Sequence, residues 1–171
     1  MKENKIENEN AIIVVVAVKK EDNIERKTKE INRLCYSAGL NVIDDFYQKV
    51  KDFNKRTVIG SGKVQEIKEY IESSEQQIDV VVVDYPLTGS QMKNLSDELN
   101  TKVIDRVGLI IDIFAQGAKS REAKLQVKLA QDLYLLPRLS QMQGTSGRYG
   151  SAGVGMRGPG ETKIELNRRI L

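Results

Sequence analysis

The sequence predicts an α/β fold: a small parallel four-stranded sheet flanked by helices, followed by a long-helix hairpin subdomain with a truncated second helix. Three observations carry this. The runs AIIVVVAV (11–18) and DVVVVD (79–84) are β-branched and apolar on both faces, as buried parallel strands must be. Strand-like and helix-like stretches alternate as βαβαβαβ up to about residue 104. From residue 105 onward the strand pattern stops and long helical periodicity replaces it.

Each element has its own signal. Residues 1–10 are expected to be a disordered leader, and the α/β subdomain to span 11–104. After the first strand, Ile31, Leu34, Cys35 and Ala38 recur at helical spacing, and Gly39 supplies the stop. Residues 41–50 form an extended candidate with Val42, Phe46 and Val50 on one side. Residues 61–73 carry Val64, Ile67 and Ile71 at helical spacing. A third helix opens at Thr88, with Gln91 at the capping-box position and Leu87 and Met92 spaced as a hydrophobic staple. Its buried face is Met92, Leu95 and Leu99, and residues 102–104 are the last strand.

The helical hairpin subdomain is expected over 105–171. Residues 107–114 read as a short buried helix, and Ser120 opens a long one. Leu125, Leu129, Leu133 and Leu136 form one apolar row of that helix; Ala123, Val127, Ala130 and Tyr134 form a second, roughly opposite. Two rows call for two packing partners, one of them the α/β body. Pro137 should loosen the last turn. Residues 160–171 read as the start of the partner helix, with Glu161 near its positive end and Ile164 and Ile170 inward. No capping signal precedes Leu171, so the polypeptide is expected to continue and the helix to be left incomplete. An incompletely covered row would favour a homo-oligomer.

Composition narrows the function classes. One cysteine, Cys35, and no histidine exclude an intrachain disulfide, a Cys/His zinc site and histidine acid–base chemistry. Cys35 reads as a core residue. The longest apolar run is too short to cross a bilayer, so no membrane span is expected and the cytoplasm is the default location. Net charge is +3 but uneven: residues 1–118 hold 17 basic and 20 acidic residues, whereas residues 119–171 hold 10 and 4. The electrostatic footprint of a nucleic-acid binder therefore lies in the last third.

Within that third, residues 141–160 (QMQGTSGRYGSAGVGMRGPG) contain seven of the 13 glycines, no acid, Arg148, Arg157 and one aromatic, Tyr149; Arg138 lies just before. Glycine permits close backbone approach to a ligand. Arginine grips phosphate and stacks on bases, and tyrosine stacks on unpaired bases. The segment reads as an RNA probe, or alternatively as a solvated linker. Gly153, Gly155 and Gly158 match G-x-G-x-x-G, but no strand precedes them as a dinucleotide site needs. Gly60, Gly62 and Lys63 match part of a phosphate loop, but Thr57 and Val64 break the pattern. A weaker anion or ATP role remains for that turn, which opens a helix after a strand. Asp84 and Asp105 follow strands at the edge where α/β sheets bind ligands, though solvated or capping roles are the commoner use of such residues.

Several stretches together resemble the HflX family of ribosome-associated GTPases. They are GSGKVQE (60–66), Asp105-Arg106 with IDIFA (111–115), SREAKLQV (120–127) and LLPRL (135–139). GVGMRGPGETK (153–163), Glu165 and Arg168-Arg169 complete the set. The resemblance implies an N-terminal α/β subdomain, a two-helix coiled coil and then a GTPase domain, with GTP and Mg²⁺ handled beyond residue 171 and no cofactor in this part. It implies the large (50S) ribosomal subunit and its rRNA as partners, and ribosome splitting or rescue as the task. The RNA-contacting set carried over is Arg138, Arg148, Tyr149, Arg157, Lys163, Arg168 and Arg169 with Gly153, Gly155, Gly158 and Gly160. Two other readings stay open: a small nucleotide-dependent α/β enzyme using Lys63, and a protein-interaction module.

Overall fold

The computed structural model describes residues 8–18, 20, 23–139 and 141. Its elements alternate as expected: β1 (Asn10–Ala17), α1 (Ile24–Ser37), β2 (Asn41–Lys49), α2 (Ser61–Ser73), β3 (Val80–Asp84), α3 (Gly89–Leu99) and β4 (Lys102–Asp105). Two helices follow, α4 (Arg106–Gly117) and α5 (Arg121–Leu139). The four strands form one sheet in the order β2-β1-β3-β4, all pairs parallel. The second helix of the expected hairpin, residues 160–171, lies outside the described residues.

β1 and β3 are the two inner strands and are buried along both faces. Ile12, Ile13, Val14, Val15, Val81 and Val82 have no exposed surface. Truncating one of these large side chains to alanine should cost about 2–5 kcal/mol through lost burial and a cavity. β1 starts one residue before the expected boundary, at Asn10, and the Glu9 carbonyl already accepts from the Asn41 N–H at 2.8 Å. That part of the leader is thus bonded into the sheet.

β2 is an edge strand with a register shift opposite Ala11 and Ile12, where Ile43 is the extra residue. The bulge explains why strict alternation is hard to read across 41–50, since one inserted residue reverses the facing of everything after it. Phe46 still reaches inward, meeting Tyr70 of α2 edge to face at 5.2 Å.

Helix ends obey local chemistry. Gly39, at φ +78°, lies just beyond the C-cap of α1, in the left-handed region glycine enters without strain. At α3 both halves of the capping box form: the Thr88 hydroxyl accepts from the Gln91 N–H at 3.2 Å, and the Gln91 side chain accepts from the Thr88 N–H at 3.0 Å. Leu87 and Met92 are both buried there. The Ser120 hydroxyl accepts from the Ala123 N–H at 3.1 Å, starting α5 where expected. One expectation fails in part: α4 is helical but not buried throughout, with Phe114 64% exposed. Its Leu109, Asp112 and Ala115 face inward at helical spacing while Phe114 falls on the other side.

Candidate nucleic-acid interface

The mount of α5 decides where the chain goes next. Asp105 is the last residue of β4 and the N-cap of α4, and it is fully buried. Its Oδ1 accepts from the Gly108 N–H at 3.0 Å and from the Tyr134 hydroxyl at 2.6 Å; its Oδ2 accepts from the Leu87 N–H at 3.0 Å. One carboxylate thus joins β4, α4, the turn after β3 and α5. The role is capping and bracing, which the residue's strand-end position allowed.

Arg138 closes the same joint. Its guanidinium donates to the Tyr134 carbonyl at 2.8 Å and to the Leu87 carbonyl at 3.2 Å, and lies 4.0 Å over the Tyr134 ring. These bonds turn it toward the body. A residue at helix spacing from a buried tyrosine can reach back to it.

Two glycines allow this packing. A Cβ on Gly89 would stand 2.9 Å from the Arg138 Cα, and one on Gly108 would stand 2.8 Å from the Tyr134 hydroxyl oxygen. Sequence reasoning missed both; the available signal was glycine in the first turn of two otherwise ordinary helices. Beyond Leu139, the Gln141 side chain accepts from the Ser90 N–H at 3.1 Å, filling one of the unpaired donors at the start of α3. Gln141, the last described residue, is therefore tied to the body. Arg148, Tyr149, Arg157, Lys163, Arg168, Arg169, Gly153, Gly155, Gly158 and Gly160 lie outside the described residues.

α5 uses its two apolar rows unequally. Val127, Gln131 and Tyr134 are buried against the body. Leu125, Leu129, Leu133 and Leu136 are 60–67% exposed.

The turn at Gly60, Gly62 and Lys63 does open α2, with Gly60 as N-cap and no side-chain cap. It does not directly follow a strand: β2 ends at Lys49 and a loop intervenes. In that loop Val58 adopts φ 67°, strained for a β-branched residue and held by paired backbone bonds to Asn54. The Gly60 N–H donates to the Gln48 side chain at 2.9 Å, and the Lys63 ammonium pairs with Glu66 at 2.7 Å. The turn therefore sits beside the edge strand. The topological switch point lies instead between β1 and β3. At the end of β3, Asp84 pairs with Arg106 at 3.3 Å, and Arg106 also reaches Glu30 at 3.7 Å. Cys35 is buried in α1; desolvation first, and the charge of Asp84 second, push its thiol up to about 12. It is an unreactive core group. Among the described residues no cluster of acidic, Cys or His side chains could hold a metal, and no helix is long and apolar enough to cross a membrane.

Comparison with known proteins now bears on this arrangement. Residues 25–115 match the family model described as GTP-binding GTPase N-terminal, and residues 117–171 match GTP-binding GTPase Middle Region. The chain belongs to the HflX family of GTPases. It is 47% identical to the GTPase HflX of Caldanaerobacter subterraneus subsp. tengcongensis over 169 residues, 99% of this chain and 38% of that protein. It is 37% identical to the GTPase HflX of Escherichia coli, over 95% of this chain and 37% of the relative. Among solved structures it resembles a GTP-binding protein from Sulfolobus solfataricus in complex with GDP, with a TM-score of 0.59 and 26% identity. That match covers 82% of this chain and 41% of the other. The chain thus spans about two fifths of the length of these HflX-family relatives and corresponds to their N-terminal part.

Proposed function

We propose that this region docks an HflX-type GTPase on the large ribosomal subunit by holding the 142–160 segment against ribosomal RNA. The observation that carries this is the braced exit of α5: Asp105, Tyr134 and Arg138 fix the helix, and Gln141 pins its end to α3. A rigid base lowers the entropy lost when the segment that follows is ordered on a target. That segment brings Arg148, Arg157 and Tyr149 without a single carboxylate. Arginines and backbone N–H groups would engage phosphates, and the tyrosine a splayed base. Lys163, Arg168 and Arg169 would add positive charge beyond it.

In this reading Arg138 positions the segment instead of touching RNA. Splitting or rescue of ribosomes, hydrolysis of GTP with Mg²⁺, and a cytoplasmic setting belong to the whole GTPase, whose remaining domain would act as the partner of this one. ATP binding at Lys63 is the weaker reading, because the turn sits beside the edge strand, away from the switch point between β1 and β3, and a phosphate would have to displace Gln48 from the Gly60 N–H.

Pelleting with 50S particles across a salt series tests the proposal. Binding should weaken steeply as salt rises, and Arg148→Ala with Arg157→Ala should flatten that dependence by roughly one log unit per lost phosphate contact. Salt-insensitive pelleting, unchanged by both substitutions, would support a protein-interaction module. Tight ATP binding in calorimetry, abolished by Lys63→Ala, would support the nucleotide reading.

A further inference from the structure

A charged surface lies at the N-terminal end of α5. Lys119, Arg121, Lys124 and Lys128 converge with Leu125 around one shallow open depression of about 480 Å³. All four cations are exposed. Among the described residues only Lys128 of the four is ion-paired, with Asp132 at 3.2 Å, and both partners of that pair are largely solvated. Such a pair exchanges readily for another anion, being worth little in water.

The placement on the helix matters. Arg121, Lys124 and Lys128 fall at i, i+3 and i+7, so they share one face. That face lies between the buried row (Val127, Gln131, Tyr134) and the bare leucine row (Leu125, Leu129, Leu133, Leu136). A partner laid along the leucines would border the cations without covering them. Glu122, the only acid between residues 119 and 128, falls on the leucine side, so Asp132, one turn beyond Lys128, is the acid that borders the cationic face.

We propose that Lys119, Arg121, Lys124 and Lys128 form a second, sequence-independent contact to the phosphate backbone of structured RNA. Combined with the segment after Gln141, it would give a two-point attachment along α5, which at 19 residues is about 28 Å long. Two anchored ends fix the direction of the helix on its target, which one anchored end cannot do. The surface has no Tyr, Trp or Phe in its lining and no acceptor set for base edges. It would therefore position the protein without reading sequence. This inference rests on the ribosome reading above, and its test separates the two.

The test uses the 171-residue chain and the variant Lys119→Gln, Arg121→Gln, Lys124→Gln, Lys128→Gln, checked for unchanged helicity by circular dichroism. The probes are a 20-base-pair RNA duplex of arbitrary sequence, in filter binding, and 50S particles, in pelleting, each over a salt series. The expected result is a flatter salt dependence in the variant with both probes, by roughly two to four log units per decade of salt. Replacing the three lysines by arginine should keep the original dependence. An unchanged salt dependence on the duplex overturns the inference. Lost 50S pelleting with duplex binding unaltered also overturns it, by assigning the surface to a ribosomal protein. If the unsubstituted chain fails to pellet with 50S at all, the ribosome reading falls, and the duplex measurement still decides this surface.

Discussion

Helices α1 and α5 both pack on the α/β body, yet they spend their apolar residues differently. α1 has one buried row, Ile31 and Cys35 followed by Ala38, and its exposed large apolar residue, Tyr36, stands alone. α5 has two rows; the body covers Val127 and Tyr134, while four leucines stay 60–67% exposed. A helix with only a structural duty needs one apolar stripe. The second row on α5 is spare adhesive surface, and it runs the length of the helix that delivers the chain to its basic, glycine-rich segment. The two helices also differ in how they are fixed. α1 is held by packing with partly solvated polar contacts such as Glu30 with Arg106, whereas α5 is keyed by a fully buried carboxylate.

The most severe way to break this contrast is Asp105→Ala. It leaves the Leu87 and Gly108 N–H groups and the Tyr134 hydroxyl without their buried acceptor. Urea denaturation should show a loss of about 3–5 kcal/mol, the range for breaking a buried charged network. A loss under 1 kcal/mol would mean the joint is not closed in solution. Tyr134→Phe removes a single bond to that carboxylate and should cost about 1.5–3 kcal/mol by the same measurement. The corresponding change on α1 is a pH effect. The Cys35 thiol is pushed up to about 12 in the folded state, from 9.0 unperturbed. Its contribution to stability is therefore complete below pH 9 and is lost progressively as pH rises from 9 toward 12. At pH 10 the loss should approach about 1.4 kcal/mol, and Cys35→Ala should remove that alkaline slope. The smallest effect belongs to the bare row. Leu129→Ser with Leu133→Ser should change the stability of the body by less than about 0.5 kcal/mol. A loss above 1 kcal/mol, or a fall in mass in light scattering, would show that the leucines are covered by a second copy or by the returning chain.

Much of the architecture was legible because it is local. Runs of Val and Ile announced the inner strands, Thr88 and Gln91 announced a cap, and Gly39 announced a stop. The Ile43 bulge was not legible, because a register shift depends on the neighbouring strand. The two rows of α5 could be read from spacing, but which row the body covers could not; that follows from Tyr134 finding Asp105 across 29 positions of sequence. Arg138 shows the same limit. Its neighbourhood to a basic segment suggested RNA, while its bonds to Leu87 and Tyr134 are visible only in three dimensions. The turn at Lys63 could be read as a helix start, but not its position: the loop from 50 to 60 sets that helix beside the edge strand, where Lys63 meets Glu66.

The central claim is that a braced helix presents the segment after Gln141 to ribosomal RNA. Its most direct test is pelleting with 50S particles of the full chain beside a version in which residues 142–160 are replaced by a short Gly/Ser linker, Gln141 being kept for its bond to Ser90. Binding should fall at least tenfold at moderate salt while the unfolding midpoint of the body stays put. Equal pelleting of the two proteins would contradict the account.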